Sequence, residues 1–200
     1  MRVLARFVLS ASDVAHFPAP VLPEIAFLGR SNVGKSSVIN TLVGKKLART
    51  SSTPGRTRAI NFYEIRRAGQ PRPECLFTDL PGYGYAKISR EISGDWARFV
   101  DPYLHQRPTL ALCFALVDAN IPAQTSDRQL LEFLASRERP HAIIATKCDK
   151  MSGNDLTRAL RQMREEYPGV PIVSFSAKTG AGKDDLWNQI RVSLEKFSRL

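Results

Sequence analysis

The sequence predicts an α/β fold in three layers, with a mostly parallel sheet of six strands, one antiparallel edge strand, and helices on both faces. Three observations predict it. Short apolar runs alternate with helical patterns along most of the chain, the order that gives parallel strands joined by crossover helices. The longest apolar run, Leu110 to Val117, is far short of the roughly 18 to 20 residues of a bilayer crossing and reads as a buried strand. One pair of strands lacks an intervening helix. Between them stands Arg67-Ala68-Gly69-Gln70-Pro71, whose Gly and Pro favour a hairpin and so an antiparallel strand.

The elements follow in order. Residues 1–22 form a lead-in in which Val3-Leu4-Ala5 and Phe7-Val8-Leu9 are split by Arg6. That interruption disfavours an export signal, and an optional further strand is read at Phe7 to Ser10. The six strands are Ile25 to Leu28, Ile60 to Arg66, Cys75 to Asp79, Leu110 to Asp118, Ala142 to Thr146 and Ile172 to Phe175. Helical stripes run through Trp96, Phe99, Val100, Tyr103 and Leu104, then Leu156, Leu160 and Met163, then Leu186, Ile190, Leu194 and Phe197. These are the spacings of one buried helix face, and they mark core packing. Neither a repeat nor a long linker interrupts the 200 residues, so a single domain is expected.

Composition sets the class. The chain is 43% hydrophobic and 24% charged, as in soluble globular proteins, and no membrane partner is expected. Cys75, Cys113 and Cys148 are irregularly spaced, giving neither a disulfide framework nor a metal motif, which fits reduced cytoplasmic thiols. The three histidines have no companions at metal spacing, so zinc is not expected. Net charge is +10 and very uneven. Residues 1–72 carry twelve basic and three acidic side chains, and Lys45 to Arg72 carries eight basic side chains against Glu64 alone. A bound nucleotide does not require so many cations.

The chemistry begins after the first of the six strands, at Gly29-Arg30-Ser31-Asn32-Val33-Gly34-Lys35-Ser36, followed by Ser37 and a helical pattern. This is a phosphate-binding loop. Its glycines let backbone N–H groups point inward, the helix start adds partial positive charge, Lys35 reaches the terminal phosphates, and Ser36 can ligate Mg²⁺. Downstream, Thr146-Lys147-Cys148-Asp149 ends a strand where ligand loops gather. Asp149 can accept the ring N–H and the exocyclic amine of guanine, a pattern adenine lacks. Lys147 can lay its stem along the base, and the N–H groups of Ser176-Ala177-Lys178, just after Phe175, can meet the guanine oxygen. Asp79-Leu80-Pro81-Gly82 closes another strand. There Asp79 would hold a water on Mg²⁺ and Gly82 would offer its N–H to the γ-phosphate.

With these motifs in place, the chain resembles the EngB (also YihA or YsxC) family of P-loop GTPases. The resemblance covers roughly residues 6 to 195 and includes Thr53-Pro54-Gly55-Arg56-Thr57, Asn61-Phe62 and, most specifically, Gly82-Tyr83-Gly84-Tyr85-Ala86-Lys87. It implies a P-loop GTPase domain, GTP and GDP as ligands, slow hydrolysis, and a role in maturing the large ribosomal subunit. Pro54, Gly55, Arg56 and Thr57 would form the first switch, with Thr57 as the second Mg²⁺ ligand. Lys35, Thr57, Gly82 and Asn32 would serve hydrolysis.

One departure, one loop asparagine and one charge surplus bear on the mechanism. Many GTPases carry a water-orienting glutamine where this chain has Tyr83, so feeble turnover is expected. Asn32 either helps hold a K⁺ beside the phosphates or pins its own loop. The basic segment 45–72 either meets precursor ribosomal RNA when GTP orders the first switch, or is only a solubilising surface. Two rival functions remain: a GTP-bound scaffold that binds ribosomes without hydrolysis, and an ATP-using kinase, which would have no use for Asp149. A monomer is expected.

Overall fold

The computed structural model describes residues 2–48, 59–83, 98, 100–122 and 124–199. Seven strands form one sheet: β1 (Val3–Ala11), β2 (Glu24–Gly29), β3 (Ile60–Arg67), β4 (Cys75–Asp79), β5 (Leu110–Asp118), β6 (His141–Thr146) and β7 (Ile172–Ser174). Their order is β1-β3-β4-β2-β5-β6-β7. β2 and β5 are the most apolar runs, are buried along their whole length, and lie side by side at the centre. From β4 through β7 all pairings are parallel. β3 runs antiparallel to β4, with Ile65 opposite Cys75 and Asn61 opposite Asp79, across the hairpin in which Gly69 takes a φ of 88°.

The sheet has one strand more than the six expected, because the optional segment forms β1. It is longer than Phe7 to Ser10 and covers the outer side of β3, pairing antiparallel from Val3 opposite Arg67 to Ala11 opposite Ile60. The antiparallel strand therefore lies one place in from the edge. Arg6, which breaks the apolar run in sequence, faces Glu64 across the pair and forks onto it at 2.9 and 2.7 Å. Phe7 meets Tyr63 edge-on at 5.9 Å.

Helices cover both faces. α1 (Lys35–Val43) and α5 (Lys183–Phe197) pack Ile39, Leu42, Leu186 and Ile190 against Ile25, Phe27, Phe77 and Phe114. α2 (Asp101–Gln106), α3 (Thr125–Ser136) and α4 (Gly153–Glu166) pack Tyr103, Leu104, Leu130, Leu134 and Met163 on the other face. Of the first predicted stripe, Val100, Tyr103 and Leu104 are fully buried, while Trp96 and Phe99 lie outside the described residues. In α5, Leu186 and Ile190 are buried and Leu194 and Phe197 pack against the same core. Among the described residues no helix is long and apolar enough to cross a membrane.

Because the five strands β2, β4, β5, β6 and β7 are parallel, their carboxyl ends, Gly29, Asp79, Asp118, Thr146 and Ser174, reach the same side of the molecule. That is where an open α/β sheet binds ligands. At the opposite end of β2, the fully buried Glu24 accepts from Arg107 Nε at 2.8 Å, Thr109 Oγ1 at 2.7 Å and Tyr103 OH at 2.7 Å. Strand and helix ends are tied there by charge where the core layers meet.

Candidate nucleotide site

The phosphate loop is shaped by three residues. A Cβ on Gly29 would sit 2.8 Å from Val33 Cγ1 and 3.0 Å from Leu116 Cβ, so the strand exit tolerates no side chain. Asn32 (φ 65°) and Gly34 (φ 109°) take left-handed backbone, which curls the loop back on itself. α1 then begins at Lys35 without a side-chain cap, leaving its first-turn N–H groups, around Ser36 and Ser37, facing the loop. Among the described residues no hydrogen bond engages the Asn32 amide.

Lys35 Nζ lies 2.7 Å from Asp79 Oδ1, and the two side chains are 10% and 3% exposed. This is a charge contact without hydrogen-bond alignment, since Asp79 Oδ1 is buried and accepts no well-formed hydrogen bond. A buried carboxylate whose Oδ1 accepts no hydrogen bond, together with the Ser36 hydroxyl at the helix start, is a hard-oxygen donor set that suits hydrated Mg²⁺. Asp79 is followed by Leu80, Pro81 and Gly82. A Cβ on Gly82 would lie 3.1 Å from both Ser31 N and Ser31 Cα, so backbone meets backbone here. Ser31 N donates to Tyr83 O at 3.0 Å, fastening the segment after Asp79, the candidate second switch, to the phosphate loop. The Tyr83 phenol is buried 3.4 Å from Asp127 Oδ1, and burial, with the Asp127 charge adding to it, holds its pKa well above the ordinary value. It stays protonated and is engaged by a carboxylate, not aimed as a base at water.

On the base side, Thr146 Oγ1 donates to Val33 O at 2.8 Å and contacts Val117 O at 3.2 Å. This joins the turn after β6, the candidate base-recognition turn, directly to the phosphate loop. Lys147 takes a φ of 61°, and its ammonium lies 2.7 Å from Asp118 Oδ2 at the end of β5. Such a strained backbone persists only where its surroundings hold it. Asp149 is exposed, and its Oδ1 accepts the Ser176 hydroxyl at 2.6 Å. That hydrogen bond is the main reason the Asp149 carboxyl titrates below the usual aspartate range. Cys148 is half-buried with its pKa raised mainly by desolvation, while buried Cys75 and Cys113 are also raised, Cys113 to about 12. All three are thiols and not nucleophiles at neutral pH.

Sequence reading offers three amides from Ser176-Ala177-Lys178 to the guanine oxygen, and the structure removes one. Ser176 N donates to Ala181 O at 3.1 Å, leaving Ala177 and Lys178. The Ser176 side chain instead orients Asp149. Phe175 is buried, donates through N to Ala145 O at 2.8 Å and accepts Cys148 N at 3.3 Å, so it holds the two base loops together. Pro54, Gly55, Arg56 and Thr57 lie outside the described residues, as do Gly84 to Lys87. Sequence reading misses Asp118 and Asp127. The signals are faint: Asp118 ends the longest apolar run, and Gln124 and Asp127 form a capping box opening α3.

One consequence is a pH dependence. Because the Ser176 hydrogen bond depresses the Asp149 pKa, the carboxylate stays charged further into the acid range than an ordinary aspartate. Ser176→Ala raises that pKa toward the ordinary value. The acid limb of GDP binding, measured by calorimetry, is then expected to move to higher pH relative to the parent. An unchanged limb would show that Ser176 does not set the Asp149 charge.

Part of the basic segment lies away from the site. Arg66, Arg67 and Arg72 lie around the hairpin at the far end of β3, whereas Asn61 on the same strand pairs with Asp79 at the site. Five to six residues of strand separate the two, roughly 20 Å. Arg67 is ion-paired with Glu74, and Lys45 donates to Ala5 O. Arg49, Arg56 and Arg58 lie outside the described residues.

Comparison with known proteins gives a consistent picture. A family model described as "50S ribosome-binding GTPase" matches residues 24–147. The chain is 56% identical over 190 residues to the "Probable GTP-binding protein EngB" of Koribacter versatilis, covering 95% of this chain and 94% of that one. It is 53% identical over 197 residues to the protein of the same name from Acidobacterium capsulatum, covering 98% and 93%. Among solved structures, a probable GTP-binding protein engB matches with a TM-score of 0.67 at 24% identity, covering 86% of this chain and 99% of that chain. An Era protein of Aquifex aeolicus bound to GDP·AlF4⁻ matches with a TM-score of 0.70 at 22% identity, covering 84% and 56%. At these identities the structural likeness is one of fold.

Proposed function

Since the chain belongs to the EngB family of GTP-binding GTPases, we propose that it is a slow GTP-hydrolysing switch in large ribosomal subunit assembly, binding ribosomal particles in a nucleotide-dependent way. What carries this reading is a single crevice with Lys35 and Asp79 at its phosphate end and Asp149 with Ser176 at its base end, stitched together by Thr146 on Val33. Ser36, Asp79 and Thr57 would hold Mg²⁺, which would supply charge neutralisation for the phosphates. Around it, Lys35 pairs with the phosphate oxygens and Gly82 N–H meets the γ-phosphate. Tyr83, engaged by Asp127, orients no water, which supports slow turnover. The same observation keeps the non-hydrolysing scaffold as the second reading. Single-turnover phosphate release, alone and with ribosomal particles, separates the two, and no release in either setting would favour the scaffold.

Asn32 is the proposed K⁺ ligand. Its exposed amide and left-handed backbone at the loop tip support this role. Hydrolysis is expected to be faster in KCl than in NaCl at equal ionic strength, and equal rates would remove K⁺ from the mechanism.

The ribosomal role draws its support from the description of the matching family model and from the basic excess of residues 1–72. Nucleotide gating then falls to the cations nearest Thr57, since Arg66, Arg67 and Arg72 lie at the far end of β3. Co-sedimentation with large-subunit particles is expected with a non-hydrolysable GTP analogue, weaker with GDP, and weaker still as salt rises. Equal binding in both nucleotide states would exclude gating.

A further inference from the structure

A buried carboxylate joins the phosphate loop to the second switch. Asp127, in the first turn of α3, is 1% exposed, and both of its oxygens accept from Arg30 Nε, at 3.0 and 3.1 Å. Its Oδ1 also lies 3.4 Å from the Tyr83 hydroxyl, and its Oδ2 accepts Gln124 N–H at 3.2 Å to close the capping box of α3. Arg30 follows the last residue of β2 and Tyr83 follows Gly82. The two ends of this junction are therefore the residues that flank the loop backbone and the γ-phosphate contact.

We propose that Asp127 is a positioning residue for GTP hydrolysis, holding Arg30 and Tyr83 as one unit so that the Gly82 amide is fixed where the γ-phosphate binds. Tyr83 is secured at two points, by Ser31 N donating to its carbonyl at 3.0 Å and by Asp127 at its hydroxyl. Gly82, immediately before it, packs backbone to backbone on Ser31 with no room for a Cβ. The Gly82 backbone is thus held against Ser31 on its Tyr83 side, and Tyr83 is tied through Asp127 to a helix packed on the sheet by Leu130 and Leu134. A buried ion pair that served stability alone would join core elements and would be indifferent to which nucleotide is bound. This one joins two ligand-binding loops, and what it fixes is the contact that GTP makes and GDP does not.

This positioning role rests on the reading of Gly82 as the γ-phosphate contact. The test uses Asp127→Asn, which keeps the shape and removes the charge, and Tyr83→Phe, which removes one hydroxyl and is the milder variant should the first fail to fold. GTP and GDP affinities, single-turnover hydrolysis at saturating GTP, and melting with GDP are measured for both and for the double variant. Asp127→Asn is expected to slow hydrolysis by about tenfold and to weaken GTP while leaving GDP affinity within about twofold, as loss of a charge-assisted hydrogen bond implies. Tyr83→Phe moves the same quantities in the same direction by less, because its hydrogen bond is long. The double variant behaves like Asp127→Asn alone, the non-additivity of a shared network. Unchanged hydrolysis in the folded variants would overturn the proposal, and so would equal weakening of GTP and GDP with a lower melting temperature. Gly82→Ala separates the layers: if it shifts the GTP-to-GDP affinity ratio and Asp127→Asn does not, the positioning role alone falls, whereas no shift with Gly82→Ala removes both.

Discussion

Asp149→Asn is expected to exchange guanine for xanthine nucleotides, with GTP affinity falling by roughly 100-fold or more and XTP binding appearing. The carboxylate offers only acceptors, which suit the ring N–H and the exocyclic amine of guanine. An amide replaces one acceptor by a donor and so meets the carbonyl that xanthine carries in place of that amine. The site supports the exchange sterically. Ser176 Oγ donates to Asp149 Oδ1 at 2.6 Å, and an asparagine oxygen can keep that bond while its NH₂ turns to the base. Lys147, held by Asp118 at 2.7 Å, and the Ala177 amide are untouched, so the other base contacts should form as before. Competition of GTP and XTP for a labelled guanine nucleotide measures the switch. Retained preference for GTP would mean that Asp149 does not read the base.

The second large effect lies at the start of β2, the end of that strand away from the site. Glu24→Ala is expected to lower stability by about 3 to 5 kcal/mol, because it leaves a buried arginine without its counter-charge. Arg107 Nη2 lies 2.6 Å from Glu24 Oε1, with side-chain exposures of 8% and 0%. Pro18 O, at 2.7 Å, would remain as a partner for the guanidinium but carries no charge. Tyr103 OH and Thr109 Oγ1 would also lose an acceptor, although Tyr103 keeps Thr78 Oγ1 at 2.9 Å. For a chain of this size the melting temperature should fall by about 10 °C. Nucleotide affinity of the folded fraction should hold, since Gly29, where the site begins, is five residues along β2, about 17 Å away. A change in melting of less than about 2 °C would show that the Glu24 network contributes little. A loss of nucleotide affinity without loss of stability would show coupling between the two ends of the strand.

Much of the nucleotide site is legible because its determinants are local. Gly29, Gly34 and Lys35 act through backbone conformation and chain order, which a linear string records. Asp79 is recognisable because it closes an apolar run and Asp149 because it ends the turn that follows one, and in a parallel sheet strand ends converge. The stripe Leu186, Ile190 and Leu194 fixes which face of α5 turns inward for the same reason. β1 was harder to read. Arg6 interrupts its apolar pattern, and only the cross-strand partner Glu64 makes an arginine acceptable there. For the basic run, the linear order records the charge but not its placement: Arg66 and Arg67 are carried along β3 to the hairpin, away from Asn61 beside Asp79.

What the sequence by itself determined, then, was the succession of strands and helices, the phosphate loop, and a carboxylate able to distinguish guanine. Tertiary structure alone decided that Arg30 meets Asp127 across 97 residues, that Ser176 spends its amide on Ala181 and its hydroxyl on Asp149, and that Glu24 neutralises Arg107. The physical reason is one of range. Backbone preference and hydrophobic period act over a few residues, whereas the partner of a buried charge depends on strand order and register, which become fixed only when the whole sheet has formed.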